Sequence, residues 1–375
     1  MARTRENDAC PGALQTHTAA DGELARVRLP GGMLTAAHLE AIALAAIEHG
    51  SATLELTSRG NLQIRGVRDT GAVAAALAAA GLLPSPTHER VRNIVASPLS
   101  GRAGGLGDIR ADVVALDAAI RADERLAQLP GRFLFGLDDG RGDITGLAAD
   151  VGAHLLDETS AAVTLSGRDT GVRVAHDDVV TTLTTLAHRF LDVRGTAWRV
   201  AELDDPAALL DGYQACAPPG ATWPAVTVPP VGWIEQRDGR IALGAAVPLG
   251  VLDAEVARFL AAVDAPITVT PWRSMLLFDL DEGVADTALR VLAPMGLVFD
   301  ENSPWLRVSA CTGSPGCARS VADVRSDAAA AVNEPLTEGT AHRHFVGCER
   351  ACGSPAAAQI LVATGDGYRP ISPHP

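Results

Sequence analysis

The chain contains no lysine; all 31 of its basic residues are arginine. High genomic GC content is enough to explain most of that bias, and one chemical consequence holds either way. No lysine is available as an acid, base or Schiff-base former, and every cationic side-chain anchor is a planar fork suited to carboxylates. Basic residues are also outnumbered by 45 acidic ones, for a formal net charge of −14. That balance argues against general nucleic-acid binding. No run of eighteen or more apolar residues occurs, so no helical membrane span is expected. The opening "MARTRENDACPG" has neither an apolar core nor a small-residue cleavage site, so no secretory signal is expected and the cytoplasm is the expected compartment. In that compartment six cysteines point to metal or redox chemistry more than to disulfides. With 375 residues, 47% apolar and 20% charged, the composition is that of an ordinary globular protein with room for two or more domains.

The residue pattern shows a diverged repeat. "ELARVRLP" alternates like a strand, and Thr35 caps a predicted helix through Glu48 that Gly50 stops. "ATLELTSRGNLQIRGV" reads as an extended pair with Arg59-Gly60-Asn61 at the turn, and "TGAVAAALAAAGLLPS" as a second helix. The stretch from Gly239 to Leu280 repeats the strand, the glycine turn and the capped helix, with Asp253 in the place of Thr35 and Arg273 in that of Arg59; "DTALRVLAPMGLVF" closes it. A repeat of this kind predicts a pseudo-two-fold molecule with something held between the halves. Between the copies lie a strand in "RVRNIVASPLSG", a helix in "ADVVALDAAIRADERLAQL", strands around an Asp-Gly turn in "GRFLFGLDDGRGDITG" and a helix in "VVTTLTTLAHRFLDVR". A long helix, "ARSVADVRSDAAAAVNE", is predicted in the tail.

The tail also carries two cysteine pairs, "CTGSPGC" (Cys311 and Cys317) and "CERAC" (Cys348 and Cys352). Five intervening residues are wide for a structural zinc knuckle. Iron–sulfur clusters tolerate varied spacings on loops, and a helical turn in "CERAC" would place both thiols on one side. Four thiols in two pairs fit one [4Fe–4S] cluster; buried apolar cysteines are the plainer alternative. Cys10 and Cys216 lie outside the pattern.

"TSRGNLQIRGV", "RVRNIVASP", Cys-x5-Cys and Cys-x3-Cys, in that order, resemble the nitrite and sulfite reductase superfamily. The resemblance spans nearly the whole chain. It implies an α+β fold, with two ferredoxin-like half-domains in a pseudo-two-fold arrangement and two α/β lobes. On that plan 1–20 is an N-terminal extension, 21–85 the first half-domain, 86–215 the first lobe, 216–230 a proline-rich linker, 231–302 the second half-domain and 303–375 the iron–sulfur lobe. The superfamily bridges its cluster to a sirohaem through the last cysteine. This chain departs from the reductases in two places. Their Arg-Lys-Phe-Lys cluster is matched by "GRFLF", which keeps Arg132 but has Leu134 where a lysine is expected, and their Cys-Pro-Asn-Gly-Cys loop is "CERAC". With "TPWR" at Thr270 to Arg273 and "RFLFGLDDGRGD", the chain looks like the precorrin-3B synthase branch of the aerobic cobalamin pathway. That branch implies O2-dependent hydroxylation of precorrin-3A at a meso carbon with lactone formation. It also implies a [4Fe–4S] cluster and a second iron centre, a mononuclear non-haem iron here against sirohaem in the reductases. NADH would be the ultimate electron source, through an electron-donor protein as partner.

A tetrapyrrole of that kind carries many carboxylates. Arg59, Arg92, Arg132 and Arg273 stand in loops or at the ends of predicted strands, where two-toothed pairing is feasible, and Asn93 can add a neutral hydrogen bond. An arbitrary arginine is more often a solvated surface residue. His342 and His344, two apart on a predicted strand, share a face; iron ligation and a surface strand explain them equally well, so no iron ligand and no catalytic residue is assigned. Two other functions stay open. One is a small sirohaem nitrite or sulfite reductase, against which the missing lysines count, because oxyanion reduction needs proton donors and cations. The other is a non-catalytic iron–sulfur carrier or tetrapyrrole-binding scaffold, which needs no duplicated architecture.

Overall fold

The computed structural model describes residues 10–223, 226, 228–335, 342–355 and 358–371. Residues 1–9 of the expected extension and Pro224, Ala225 and Thr227 of the expected linker lie outside them. The N-terminal half-domain opens with β1 (His17–Ala19) and β2 (Gly22–Val27), then β3 (Met33–Leu34), α1 (Ala36–His49), β4 (Thr53–Leu56), β5 (Leu62–Val67) and α2 (Thr70–Ala79). The Thr35 side chain accepts from the His38 N–H, and Gly50 ends the helix, as the sequence predicts. Leu54, Leu56, Leu62 and Ile64 are buried on one face of the β4–β5 hairpin; Glu55, Gln63 and Arg65 alternate with them onto the other.

The middle lobe contains β6 (Ile94–Ala96), α3 (Arg110–Ala122), β7 (Phe135–Asp138), β8 (Val151–Leu155), β9 (Ser160–Leu165), β10 (Arg168–Ala175) and α4 (Val179–Val193). Its sheet runs β10-β9-β8-β7-β6, parallel from β6 to β8 and antiparallel beyond. Strands β7 and β8 are therefore not the hairpin that "LDDG" suggested. The Asp138 carboxylate accepts from the N–H groups of Gly140, Gly142, Ile144 and Thr145. Those bonds fold the segment into a loop that lets the chain re-enter in the parallel sense. The predicted helix after β6 also stops early, at Ala122, because Asp123 caps a short 3-10 turn instead of continuing it. Phe133 packs on Phe135 and Phe190 at the centre of this lobe.

The second half-domain repeats the first: β11 (Gly232–Glu235), β12 (Ile241–Ala246), β13 (Val251–Asp253), α5 (Ala254–Ala261), β14 (Ile267–Val269), β15 (Ser274–Leu280) and α6 (Glu282–Leu292). The two sheets run β1-β2-β5-β4-β13 and β11-β12-β15-β14-β3. Each half thus lends its third strand to the other's sheet, with Leu252 opposite Leu54 and Leu34 opposite Ile267. That reciprocal exchange is what a pseudo-two-fold relation requires. The repeat is longer than its sequence signature, because β1 and β11 are short edge strands without a full alternating pattern. Asp253 accepts from the N–H groups of Glu255 and Val256. Asp253→Ala is expected to lower the unfolding free energy by about 1 kcal/mol, measurable by urea denaturation.

The tail lobe holds β16 (Val308–Ala310), α7 (Val324–Ala330), β17 (Arg343–Val346), β18 (Gln359–Thr364) and β19 (Gly367–Ile371). Its sheet is parallel from β16 to β18 and antiparallel to β19. The long helix predicted from Ala318 is only α7, capped by Asp323; the residues before it form turns tied to the cysteine loop, with Ser314 N–H donating to the Ala322 carbonyl. Contacts group the chain into two units. One is the stretch ending at Gly12 with Arg28–Gly32 and Leu83–Val226; the other is Ala13–Val27, Met33–Leu82 and the chain from Thr227. Both half-domains and the tail lobe belong to the second. No helix among the described residues is long and apolar enough to cross a membrane.

Candidate metal centre

In an open parallel sheet the loops at the carboxyl ends of neighbouring strands converge, and ligands bind there. Cys311 directly follows β16, and Cys348 follows β17 by one residue. The strands are parallel neighbours, and the Cys311 N–H donates to the Phe345 carbonyl at 2.9 Å. The Gly347 N–H donates back to Cys311 Sγ at 3.4 Å. A Cβ on Gly347 would lie 1.8 Å from Ser320 Oγ, so only glycine lets the two loops close together here. Cys317 sits at the far end of the first loop, its N–H on the Gly313 carbonyl at 2.8 Å. In the second loop the Ala351 N–H donates to the Cys348 carbonyl, and Ala351 is left-handed (φ 47). "CERAC" is therefore a turn and not the helical turn expected.

All four thiols are free, three half-buried and Cys352 exposed. Burial pushes the Cys311 and Cys352 thiols up, and the charges of the neighbouring cysteines push the same way. A thiolate quartet of this kind is stable only with a cation in its midst, which is what a metal supplies. Among the described residues no three cysteine sulfurs lie within 4.8 Å of one another. Thiolates on one tetrahedral zinc are only about 3.8 Å apart, given Zn–S bonds of about 2.3 Å. Thiolate donors of this kind suit a soft metal centre.

His342 and His344 are buried, not on a surface strand. Ser309 Oγ lies 2.7 Å from both His342 Nε2 and His344 Nδ1. The outer nitrogens meet the Leu306 and Cys352 carbonyls. Burial, reinforced by the charge of Arg273, pulls the two imidazoles down to about 4 and about 3. Each neutral ring gives its N–H to a carbonyl, and the single Ser309 hydroxyl proton serves the two remaining nitrogens one at a time; both of those nitrogens are turned onto Ser309, so neither is presented to an iron. They brace the sheet beneath the second cysteine loop instead.

The expected carboxylate-binding residues part ways. Arg273, half-buried in the turn between β14 and β15, donates from Nη2 to the Gly353 carbonyl at 2.7 Å, beside Cys352. Arg59 is half-buried in the corresponding turn between β4 and β5. Arg132 is exposed, its guanidinium carbon 5.4 Å from the centroid of the Trp198 ring. Arg92 and Asn93 are internal. Arg92 forks onto Asp117 of α3 at 2.6 and 3.1 Å, and Asn93 donates to the Arg90 and Gly131 carbonyls. Their polar groups serve the lobe's own backbone and charge. Leu134, where the reductases would have a lysine, is buried.

Sequence reasoning missed Arg65, which is buried and bonded to the first cysteine loop. Its signal was the polar face of the first sheet, where Arg26, Gln63 and Glu55 form a chain across neighbouring strands. A sheet face opposite the helices that buries arginine and glutamate is not a simple apolar core. The "DDGRGD" loop was also missed as a cluster. Asp138, Asp139 and Asp143 bring carboxylate oxygens within 4.8 Å of one another. Arg141 pairs with Asp139 at 2.7 Å and approaches Asp143 at 3.7 Å. Although burial opposes it, hydrogen bonds from His154 and the loop N–H groups hold Asp138 down at about 2. Burial and the Asp138 charge push Asp143 up to about 7. Between pH about 4 and about 7 the folded chain thus holds a proton on Asp143 that the unfolded chain has released, so its contribution to stability fades as pH rises through that window. Asp143→Asn is expected to remove this decline, read as the difference between variant and wild-type urea midpoints across the window; an unchanged difference would contradict it.

Comparison with known proteins agrees with this architecture. Residues 17–80 match the nitrite/sulfite reductase ferredoxin-like half domain. The chain is 26% identical to a precorrin-3B synthase from a Sinorhizobium species, over 96% of this chain and 81% of that protein. It is 35% identical to a ferredoxin–nitrite reductase from Synechococcus elongatus, over 32% of this chain and a quarter (25%) of that protein. The solved structure of the Mycobacterium tuberculosis NirA protein superposes with a TM-score of 0.76 at 17% identity, covering 94% of this chain and 77% of that one. The overall fold is that of the nitrite and sulfite reductases, and over 96% of its length the sequence resembles a precorrin-3B synthase.

Proposed function

We propose that this chain is an O2-dependent monooxygenase of cobalamin biosynthesis that converts precorrin-3A to precorrin-3B. One oxygen atom would enter a meso carbon, with a lactone closed from a ring acetate. The other would leave as water, with two electrons and two protons supplied ultimately from NADH through an electron-donor protein. The observation that carries this reading is the near full-length similarity to a precorrin-3B synthase, in a chain that carries four free cysteines on two adjoining loops. Cys311, Cys317, Cys348 and Cys352 would hold a [4Fe–4S] cluster, which supplies one-electron transfer. Arg59, in the turn between β4 and β5, and the exposed Arg132 are proposed as anchors for substrate carboxylates. No residue is assigned to a second iron, since the ring nitrogens of His342 and His344 are turned onto Ser309 and two backbone carbonyls.

A sirohaem nitrite or sulfite reductase is the second reading, favoured by the NirA-like fold. Against it stands the chain's lack of any lysine. Nitrite or sulfite reduction consumes several protons and stabilises a bound oxyanion with cations. The absorption spectrum of protein purified without oxygen separates the two. A broad iron–sulfur shoulder alone is expected; strong Soret and red bands would mean sirohaem and the reductase.

A further inference from the structure

Two arginines, one from each half-domain, reach the two cysteine loops. Arg65 on β5 donates from Nη2 to the Gly316 carbonyl at 2.7 Å and from Nη1 to Thr312 Oγ1 at 3.4 Å. Thr312 follows Cys311 and Gly316 precedes Cys317, so one guanidinium spans the loop from end to end. Asp21 fixes that guanidinium from the other side with bonds of 2.8 and 2.9 Å. Arg273 meets the second loop in the same manner, through the carbonyl of Gly353 next to Cys352. Both contacted residues are glycines, and the space shows why. A Cβ on Gly353 would lie 2.9 Å from Arg273 Nη2, and one on Gly316 would lie 3.3 Å from Arg65 Nη2 and 2.8 Å from Thr312 Cγ2. Glu55 keeps the cations together: it lies 3.8 Å from Arg65 Nε and also pairs with Arg325.

We propose that Arg65 and Arg273 are positioning residues. Each holds one cysteine loop in a ligand-ready shape through a backbone carbonyl, and Arg273 also adds positive charge that favours the reduced, more negative state of whatever the thiolates bind. The charge part rests on the cluster reading above; the loop-holding part does not.

Hydrogen–deuterium exchange on the metal-free chain tests the first part. A charge-assisted hydrogen bond lost from a loop should speed amide exchange there by about ten- to a hundredfold. Arg65→Gln is expected to do so in residues 312–317 and Arg273→Gln in residues 348–354, each leaving the other loop unchanged. Gly316→Ala, which displaces the contact but keeps the arginine, should reproduce the first effect if Arg65→Gln folds poorly. Unchanged exchange in both loops would overturn the assignment. Redox titration of the iron- and sulfide-reconstituted chain tests the second part. Arg273→Gln should lower the midpoint potential and Arg273→Lys should restore most of it, because the ammonium keeps the charge. A potential unmoved by Arg273→Gln would overturn the electrostatic role. Wild-type chain that takes up no iron and sulfide would overturn the cluster reading, while the exchange data would still decide the loop-holding role.

Discussion

Replacing any one of Cys311, Cys317, Cys348 and Cys352 by serine is expected to remove the iron–sulfur absorbance and abolish turnover. Serine keeps the size and a hydrogen-bonding oxygen, so the loops should fold. What disappears is the soft thiolate donor that an iron–sulfur centre needs. The four thiols come from two loops on neighbouring parallel strands, and the Gly347 N–H is already aimed at Cys311 Sγ. A three-thiol remnant would leave one iron open to solvent and to loss. Cys10, which faces Arg28 at 3.4 Å, and the exposed Cys216 serve as controls whose serine variants should retain full iron and sulfide. Iron and sulfide analysis of anaerobically reconstituted protein reads the result. A Cys311→Ser protein with a full complement of both would show that the ligand set is wrong.

Arg92→Ala is expected to act on stability and not on substrate affinity. The Arg92 fork and the Asp117 carboxylate are both buried, with Arg121 pairing to Asp117 from the helix surface at 2.9 Å. Removing Arg92 leaves Asp117 with one partly exposed partner, and breaking a buried ion pair from one side costs about 3–5 kcal/mol. The retained Arg121 places the expected loss near about 3 kcal/mol. Arg92→Met with Asp117→Leu should recover most of it, since no charge is then left uncompensated. A fully stable Arg92→Ala protein with weakened precorrin-3A binding would return Arg92 to the substrate site.

These two residue sets show what was legible in the sequence. The cysteines stand in glycine- and proline-rich loops with specific spacing, and chemistry alone restricts what four such thiols can do. The repeated strand–helix–strand–strand–helix pattern was visible because Thr35 and Asp253 cap equivalent helices. The strand exchange between halves was not visible, since β3 and β13 are two and three residues long and carry no periodic signal. Arg92 looked like Arg59 in the sequence: both lie in loops within resembling motifs. Only packing shows that Asp117, one turn of α3 before Arg121, occupies the first fork. Arg65 was hidden for the opposite reason, a strand residue whose partners Thr312 and Gly316 are some 250 positions away.

The measurement that bears most directly on the proposed activity is isotopic. Anaerobically prepared protein, reconstituted with iron and sulfide, is given precorrin-3A, a reductant and labelled O2, and the tetrapyrrole product is weighed by mass spectrometry. One labelled oxygen atom per product molecule is the predicted result. A product without label, from protein that instead consumes nitrite or sulfite with the same reductant, would contradict the monooxygenase and establish the reductase.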